Sequence, residues 1–281
     1  MAFLRVVEVF PPLFPASKSR DAHFDVEGKV ELFVEGVRSI RGLGDVFLVA
    51  NVKNPKLLKL STLEASLILQ ERLGVETAPV IVARDFNRPQ FLSTVLSGIS
   101  FGLRSMMIAW GDRYPASVRA TNVRDFSTLG EAIRQASQVA RRARAPTRFF
   151  APVDVGRLAH PEGVALAKQR LRAGAEYLLA QPPTTDAEGT FDRHSSALAA
   201  AGLKDKVLLN VFPFRSEKDA RECEKYFGWK LPESAHRAAA KGESSLVEME
   251  RRVVQRLREE KFPGVYLTTR GLPSIAEKLL H

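Results

Sequence analysis

Eight short apolar runs recur along the chain, each six or seven residues long and rich in β-branched or aromatic side chains. They are "RVVEVF" at 5, "DVFLVAN" at 45, "PVIVAR" at 79, "SMMIAW" at 105, "RFFAPV" at 148, "EYLLAQ" at 176, "KVLLNVF" at 206 and "GVYLTT" at 264. Between them lie amphipathic helical patterns such as "STLEASLILQERLG" from 61 and "PEGVALAKQRLRAGA" from 161. Strands that are apolar on both faces and separated by helices form a parallel sheet covered on both sides. A count of eight favours closure of that sheet into a (β/α)8 TIM barrel spanning residues 1–281 as one catalytic domain. An open doubly wound sheet is the competing architecture, but no G-x-G-x-x-G follows the first run, where the loop is "PPLFPASKSRD".

The punctuation supports the same spacing. Ser61 and Ser127 stand as N-caps, Glu64 completes a capping box with Ser61, and Gly74, Gly102 and Gly174 fall where helices should end. Between the seventh and eighth runs there is room for an extra short helix, "PESAHRAAAKG" at 232, before the charged helix "SSLVEMERRVVQRLREEK".

Composition narrows the function classes. Cys223 is the only cysteine, which excludes an intramolecular disulfide and a cysteine-rich metal site and suits a reducing cytoplasm. No apolar stretch reaches the roughly 18 residues of a membrane span, and no signal-peptide pattern opens the chain. The formal net charge of +10 is spread among acidic residues rather than gathered into a nucleic-acid stripe. The one dense basic cluster, "VARRARAPTR" from 139, reads as a helix C-terminus, where cations meet the negative end of the dipole. A positive field of this kind attracts small anions.

In a barrel, chemistry gathers at the C-terminal ends of the strands. Those ends carry Glu8 before Pro11-Pro12, Arg84-Asp85, Asp112 after Gly111, Asp154 before "HPEG", Gln181, and Thr268-Thr269-Arg270. Each has a structural explanation: an ion pair for Glu8, a turn for Asp112, a strand end for Gln181, and a helix start for His160-Pro161-Glu162. Together, two acids and an amide from three strands would supply an acid or base, a stabiliser of positive charge and a two-way hydrogen-bonding group. There is no G-x-S-x-G, H-E-x-x-H or G-x-x-x-x-G-K-[ST].

The ordered set "VEVFPP", "LRSMMIAWGDRYP", "HPEG", "LAKQRLRAGAEYLLAQ", "VFPF" and "WKLPE" resembles the methylenetetrahydrofolate reductase family over nearly the whole chain. The resemblance implies a barrel enzyme of one-carbon metabolism that reduces 5,10-methylenetetrahydrofolate, or a related pterin, to the 5-methyl form with NADH or NADPH. It implies that Glu8 is the general acid that opens the substrate's ring to an iminium ion, that Asp112 lies near the pterin, and that Gln181 contacts both pterin and nicotinamide. It further assigns Lys168 and His160 to cofactor contacts and Arg270 to the benzoylglutamate tail.

The family's FAD is where the chain departs from the pattern. Ala50-Asn51-Val52 replaces a threonine-tyrosine-glycine segment, Val80 or a neighbour replaces a histidine, Trp110 replaces an arginine, and "PVDVGR" replaces a tyrosine-proline-glutamate segment. FAD is therefore left open, and direct hydride transfer to the iminium carbon becomes the expectation, with Trp110 stacking on the pterin or nicotinamide or else serving as a core aromatic. A pterin-binding or electron-transfer subunit that needs a partner protein is the alternative, and the chain is either a homo-oligomer or one subunit of a complex. A barrel lyase or aldolase would call for a lysine at a strand end, and none of the eight runs ends in one.

Overall fold

The computed structural model describes residues 2–15, 23–52, 57–111, 125–270 and 274–280. Strand β1 (Leu4–Val9) leads through the short β2 (Leu13–Pro15) to helix α1 (Val26–Arg38). Strand β3 (Val46–Val49) and the short β4 (Leu57–Lys59) precede α2 (Thr62–Leu73). The pattern then alternates: β5 (Thr77–Val82), α3 (Arg88–Ser100), β6 (Ser105–Ala109), α4 (Leu129–Arg142), β7 (Arg148–Asp154), α5 (Pro161–Ala173), β8 (Tyr177–Gln181) and α6 (Thr190–Ala201). After β9 (Val207–Val211) come α7 (Glu217–Phe227), α8 (Glu233–Ala240) and α9 (Glu243–Glu259), then β10 (Gly264–Thr268) and α10 (Ser274–Leu280).

All eight apolar runs are parallel strands of one closed barrel, ordered β1-β10-β9-β8-β7-β6-β5-β3 and back to β1. This is a (β/α)8 TIM barrel. Alternation along each strand sorts its side chains into two layers. Val6, Leu48, Val80, Met107, Leu179 and Tyr266 belong to the cluster that fills the lumen. Val7, Val9, Phe47, Ile108, Leu178 and Leu267 belong to the larger cluster between strands and helices.

The seam between β1 and β10 closes the barrel. Leu4 pairs with Gly264, and the Leu4 N–H donates to the Pro263 carbonyl at 2.9 Å. The two backbones approach so closely that a Cβ on Gly264 would lie 1.9 Å from the Leu4 carbonyl oxygen. Glycine is required there by space rather than by an unusual φ.

Three features differ from the sequence expectation. The α4 cap is Thr128, whose hydroxyl accepts from the Glu131 N–H at 3.1 Å. Ser127 instead donates its N–H back to the Glu131 carboxylate at 2.8 Å, so the reciprocal box is displaced by one residue. Helix α7 carries little apolar periodicity in the sequence, because its buried residues are Ala220 and Cys223. Its local signals were nevertheless present in Ser216, which accepts from the Asp219 N–H at 3.2 Å, and in the left-handed Gly228 at its end. Finally, β2 and β4 pair as an antiparallel ribbon, Phe14 opposite Leu58, which joins the loops that leave β1 and β3. Two three-residue strands are too short to show a period.

Gly264→Ala is expected to lower stability by roughly 3 kcal/mol or more, because one strand of the seam must shift to admit the methyl group. Urea unfolding of the two proteins measures the difference, and an equal midpoint would show that the seam can relax.

Candidate active site

The inward alternation of β1 runs Leu4, Val6, Glu8, so the acid points into the lumen at the end of the strand. In register, its neighbours are Thr268 on β10 and Leu48 on β3. No arginine or lysine pairs with it among the described residues; its partner is Tyr266, whose hydroxyl donates to Oε2. The strand end is fixed from behind, where the Glu8 carbonyl accepts from the Thr269 hydroxyl at 2.7 Å and from the Thr269 N–H at 3.3 Å.

Burial pushes the Glu8 carboxyl up to about 7, opposed in part by the Tyr266 hydrogen bond, which favours the charged form. An acid with that proton affinity is half-protonated near neutral pH, the range in which a general acid works best. Burial alone does not mark a site, as Glu250 shows. It lies on α9 with no exposure and both oxygens unpartnered, and burial raises its carboxyl well above the usual range. Glu8 is distinguished by facing the lumen at the catalytic end and by its tyrosine.

Two further polar side chains share the lumen with Glu8, and the sequence did not single them out. Tyr266 is 2% exposed and Asn210 is 1% exposed. The Thr268 hydroxyl donates to Asn210 Oδ1 at 3.3 Å, while the Asn210 amide nitrogen is buried without a partner among the described residues. The available signal was parity: both residues sit an even number of places from lumen-facing neighbours, inside the apolar runs "KVLLNVF" and "GVYLTT".

The remaining expected residues divide. Gln181 ends β8 in line with Tyr177 and Leu179 of the lumen cluster, exposed at the rim, with β9 and β10 between it and Glu8. Asp112 lies outside the described residues. His160 stands exposed just before α5, where its carbonyl accepts from the Gly163 N–H at 3.1 Å. Lys168 is exposed on α5, about 10 Å of helix rise beyond Pro161, and so is displaced from the mouth.

Trp110 falls one step after the inward Ala109 and packs against the strand–helix layer, with the Arg84 guanidinium 5.8 Å from its ring centre, which is the core-aromatic one of its two readings. The Arg270 guanidinium fork grips the Asp219 carboxylate, with one bond at 2.8 Å, and lies 5.1 Å from the centre of the Phe212 ring. Asp219 is held well ionised by Arg270 and Arg215, against the opposing effect of burial.

A hollow of about 250 Å³ begins at Pro182, beyond Gln181, and is lined by Glu188, Arg193, His194 and Lys230 among others. Burial and the adjacent Arg193 push His194 down to about 4, and its Nδ1 lies 2.9 Å from the Thr184 hydroxyl.

At the positions that depart from the family's flavin contacts, Val80 is apolar and lines the lumen, Trp110 packs against the strand–helix layer, and the Asn51 side chain accepts a hydrogen bond from Lys59, which also donates to the Val52 carbonyl at 2.9 Å. No group of three His, Cys, Asp or Glu among the described residues could hold a metal ion. No helix among them is long and apolar enough to cross a membrane.

No protein-family model and no curated protein matches the sequence. Among solved structures, the chain is similar to an uncharacterised protein from Clostridium thermocellum that binds two copies of 5-methyl-5,6,7,8-tetrahydrofolic acid. The TM-score is 0.67 at 12% sequence identity, over 98% of this chain and 94% of that one. At that identity the likeness shows a shared barrel fold.

Glu8→Gln is expected to stabilise the protein above neutral pH and to change it little near pH 4. The raised carboxyl means that wild-type stability falls as pH rises from the ordinary carboxylate value of 4.5 to about 7, because the unfolded chain releases its proton first. The limiting slope is about 1.4 kcal/mol per pH unit. Thermal unfolding across pH 4–9 tests this, and parallel curves for the two proteins would contradict it.

Proposed function

We propose that the chain reduces the methylene bridge of 5,10-methylenetetrahydrofolate, or of a related pterin, to a methyl group, taking a hydride from NADH or NADPH without a flavin. The observation that carries this reading is the lumen-facing Glu8, a carboxyl that holds its proton up to about 7. The structural neighbour adds support, since the compound it binds is the product of such a reduction.

Protonated Glu8 gives its proton to the ring nitrogen that leaves, and the carbon–nitrogen bond breaks to an iminium cation. The Glu8 carboxylate left behind stabilises that cation electrostatically. The hydride, carrying two electrons, adds to the iminium carbon, and the acid regains its proton from water. Gln181 at the rim can both donate to and accept from the pterin edge, and Asp112 is proposed to lie near the same ring. Arg270, and Lys230 in the hollow beyond Gln181, are the cations proposed to meet the substrate's carboxylates.

A pterin-binding subunit dependent on a partner protein is the second reading, favoured by the same replaced flavin contacts. One assay separates the two: purified chain, methylenetetrahydrofolate, and NADH or NADPH, with and without added FAD. Turnover by the lone chain is expected, with no flavin band in its absorbance. The rate should fall as pH rises through about 7, because Glu8 acts in its protonated form. Glu8→Gln should lower turnover by about 10²–10⁴-fold with the circular dichroism unchanged. A stoichiometric flavin spectrum would rule out direct transfer, and tight pterin binding without turnover would favour the subunit.

A further inference from the structure

The two oxygens of Glu8 have unlike surroundings. Oε2 accepts the hydrogen bond from the Tyr266 hydroxyl. Oε1 has no hydrogen-bonding partner among the described residues, and the side chain that carries it is half-buried at the lumen end of β1.

Tyr266 is well placed to hold this asymmetry. It lies on β10, its ring packed in the lumen cluster with Val6 and Leu208, and it is 2% exposed. Burial and the adjacent Glu8 push its phenol well above the ordinary range, so it keeps its proton and remains a donor. The groups around the pair leave that bond without a competitor for the carboxylate. Leu48 on β3 is apolar, Thr269 binds the Glu8 main chain, and the Thr268 hydroxyl hydrogen-bonds Tyr266 and Asn210 Oδ1 rather than the carboxylate. Tyr266 is the titratable group that bears on Glu8 among the described residues.

We propose that Tyr266 is a positioning residue that determines which Glu8 oxygen carries the acidic proton: by donating to Oε2 it makes that atom the carbonyl oxygen, and Oε1, facing the lumen, becomes the one that bears and delivers the proton. A neutral carboxylic acid has one carbonyl oxygen and one hydroxyl oxygen. A permanent donor on one side leaves the proton to the other. The same bond favours the carboxylate form, so it also makes the acid easier to ionise once the proton has been given up. The catalytic consequence rests on the proposed role of Glu8 as proton donor; the geometry does not.

The test is a ligand-free infrared titration across pH 4–9, with the Glu8 carbonyl band isolated as wild type minus Glu8→Gln. In Tyr266→Phe the band should move to higher frequency as Oε2 loses its donor. The midpoint should rise by about one pH unit, a tenfold change in proton affinity. An unchanged band and midpoint in a folded variant would overturn the proposal. If the phenylalanine variant does not fold, 3,5-difluorotyrosine at position 266 is a stronger donor and should shift the midpoint downward; no shift there is equally decisive against it. Turnover measured alongside separates this inference from the proposed reaction. A spectral shift with no pterin reduction by either protein keeps the positioning role and removes the reaction. Reduction with an unmoved midpoint does the reverse.

Discussion

The pairing of β1 with β10 is the contact on which the rest of the molecule depends. Strands from the two ends of the chain meet there so closely that Gly264 has no room for a side chain over the Leu4 carbonyl. Closing the barrel at this seam removes the sheet's open edges and encloses an apolar lumen. It also juxtaposes side chains 258 residues apart, Glu8 and Tyr266, inside that lumen. The same pairing that completes the fold therefore completes the acid site.

The low polarity of the barrel interior gives that site its chemistry. A carboxyl at the end of an exposed strand would ionise at its ordinary value, whereas Glu8, buried with a tyrosine as its partner, retains its proton up to about 7. Glu250 shows the same effect of burial without the accompanying geometry. Location, rather than proton affinity alone, separates a candidate acid from a structural one.

The segment between β9 and β10 has a different character. Helices α7, α8 and α9 share an apolar cluster with Phe212, Phe214 and Cys223, distinct from the two layers of the barrel. Arg270, just beyond β10, reaches into this unit and grips Asp219 on α7. The contact ties the additional helices to the seam strand.

Much of the architecture was legible in the chain itself. Eight apolar runs of strand length, separated by capped amphipathic helices, leave few arrangements other than a parallel barrel, because local periodicity and burial on both faces are properties of contiguous residues. Glu8 could be singled out for the same reason, as a charge in a short apolar run. The β2–β4 ribbon and α7 carried too little periodic signal to be read. The direction in which Trp110 points, the partner of Arg270, and the company Tyr266 and Asn210 keep with Glu8 were decided only by tertiary structure. Each depends on which strands become neighbours and in what register, and a shift of one residue would reverse every side chain between lumen and helix layer. The sequence by itself determined the strands and the acid; closure of the barrel determined what the acid faces.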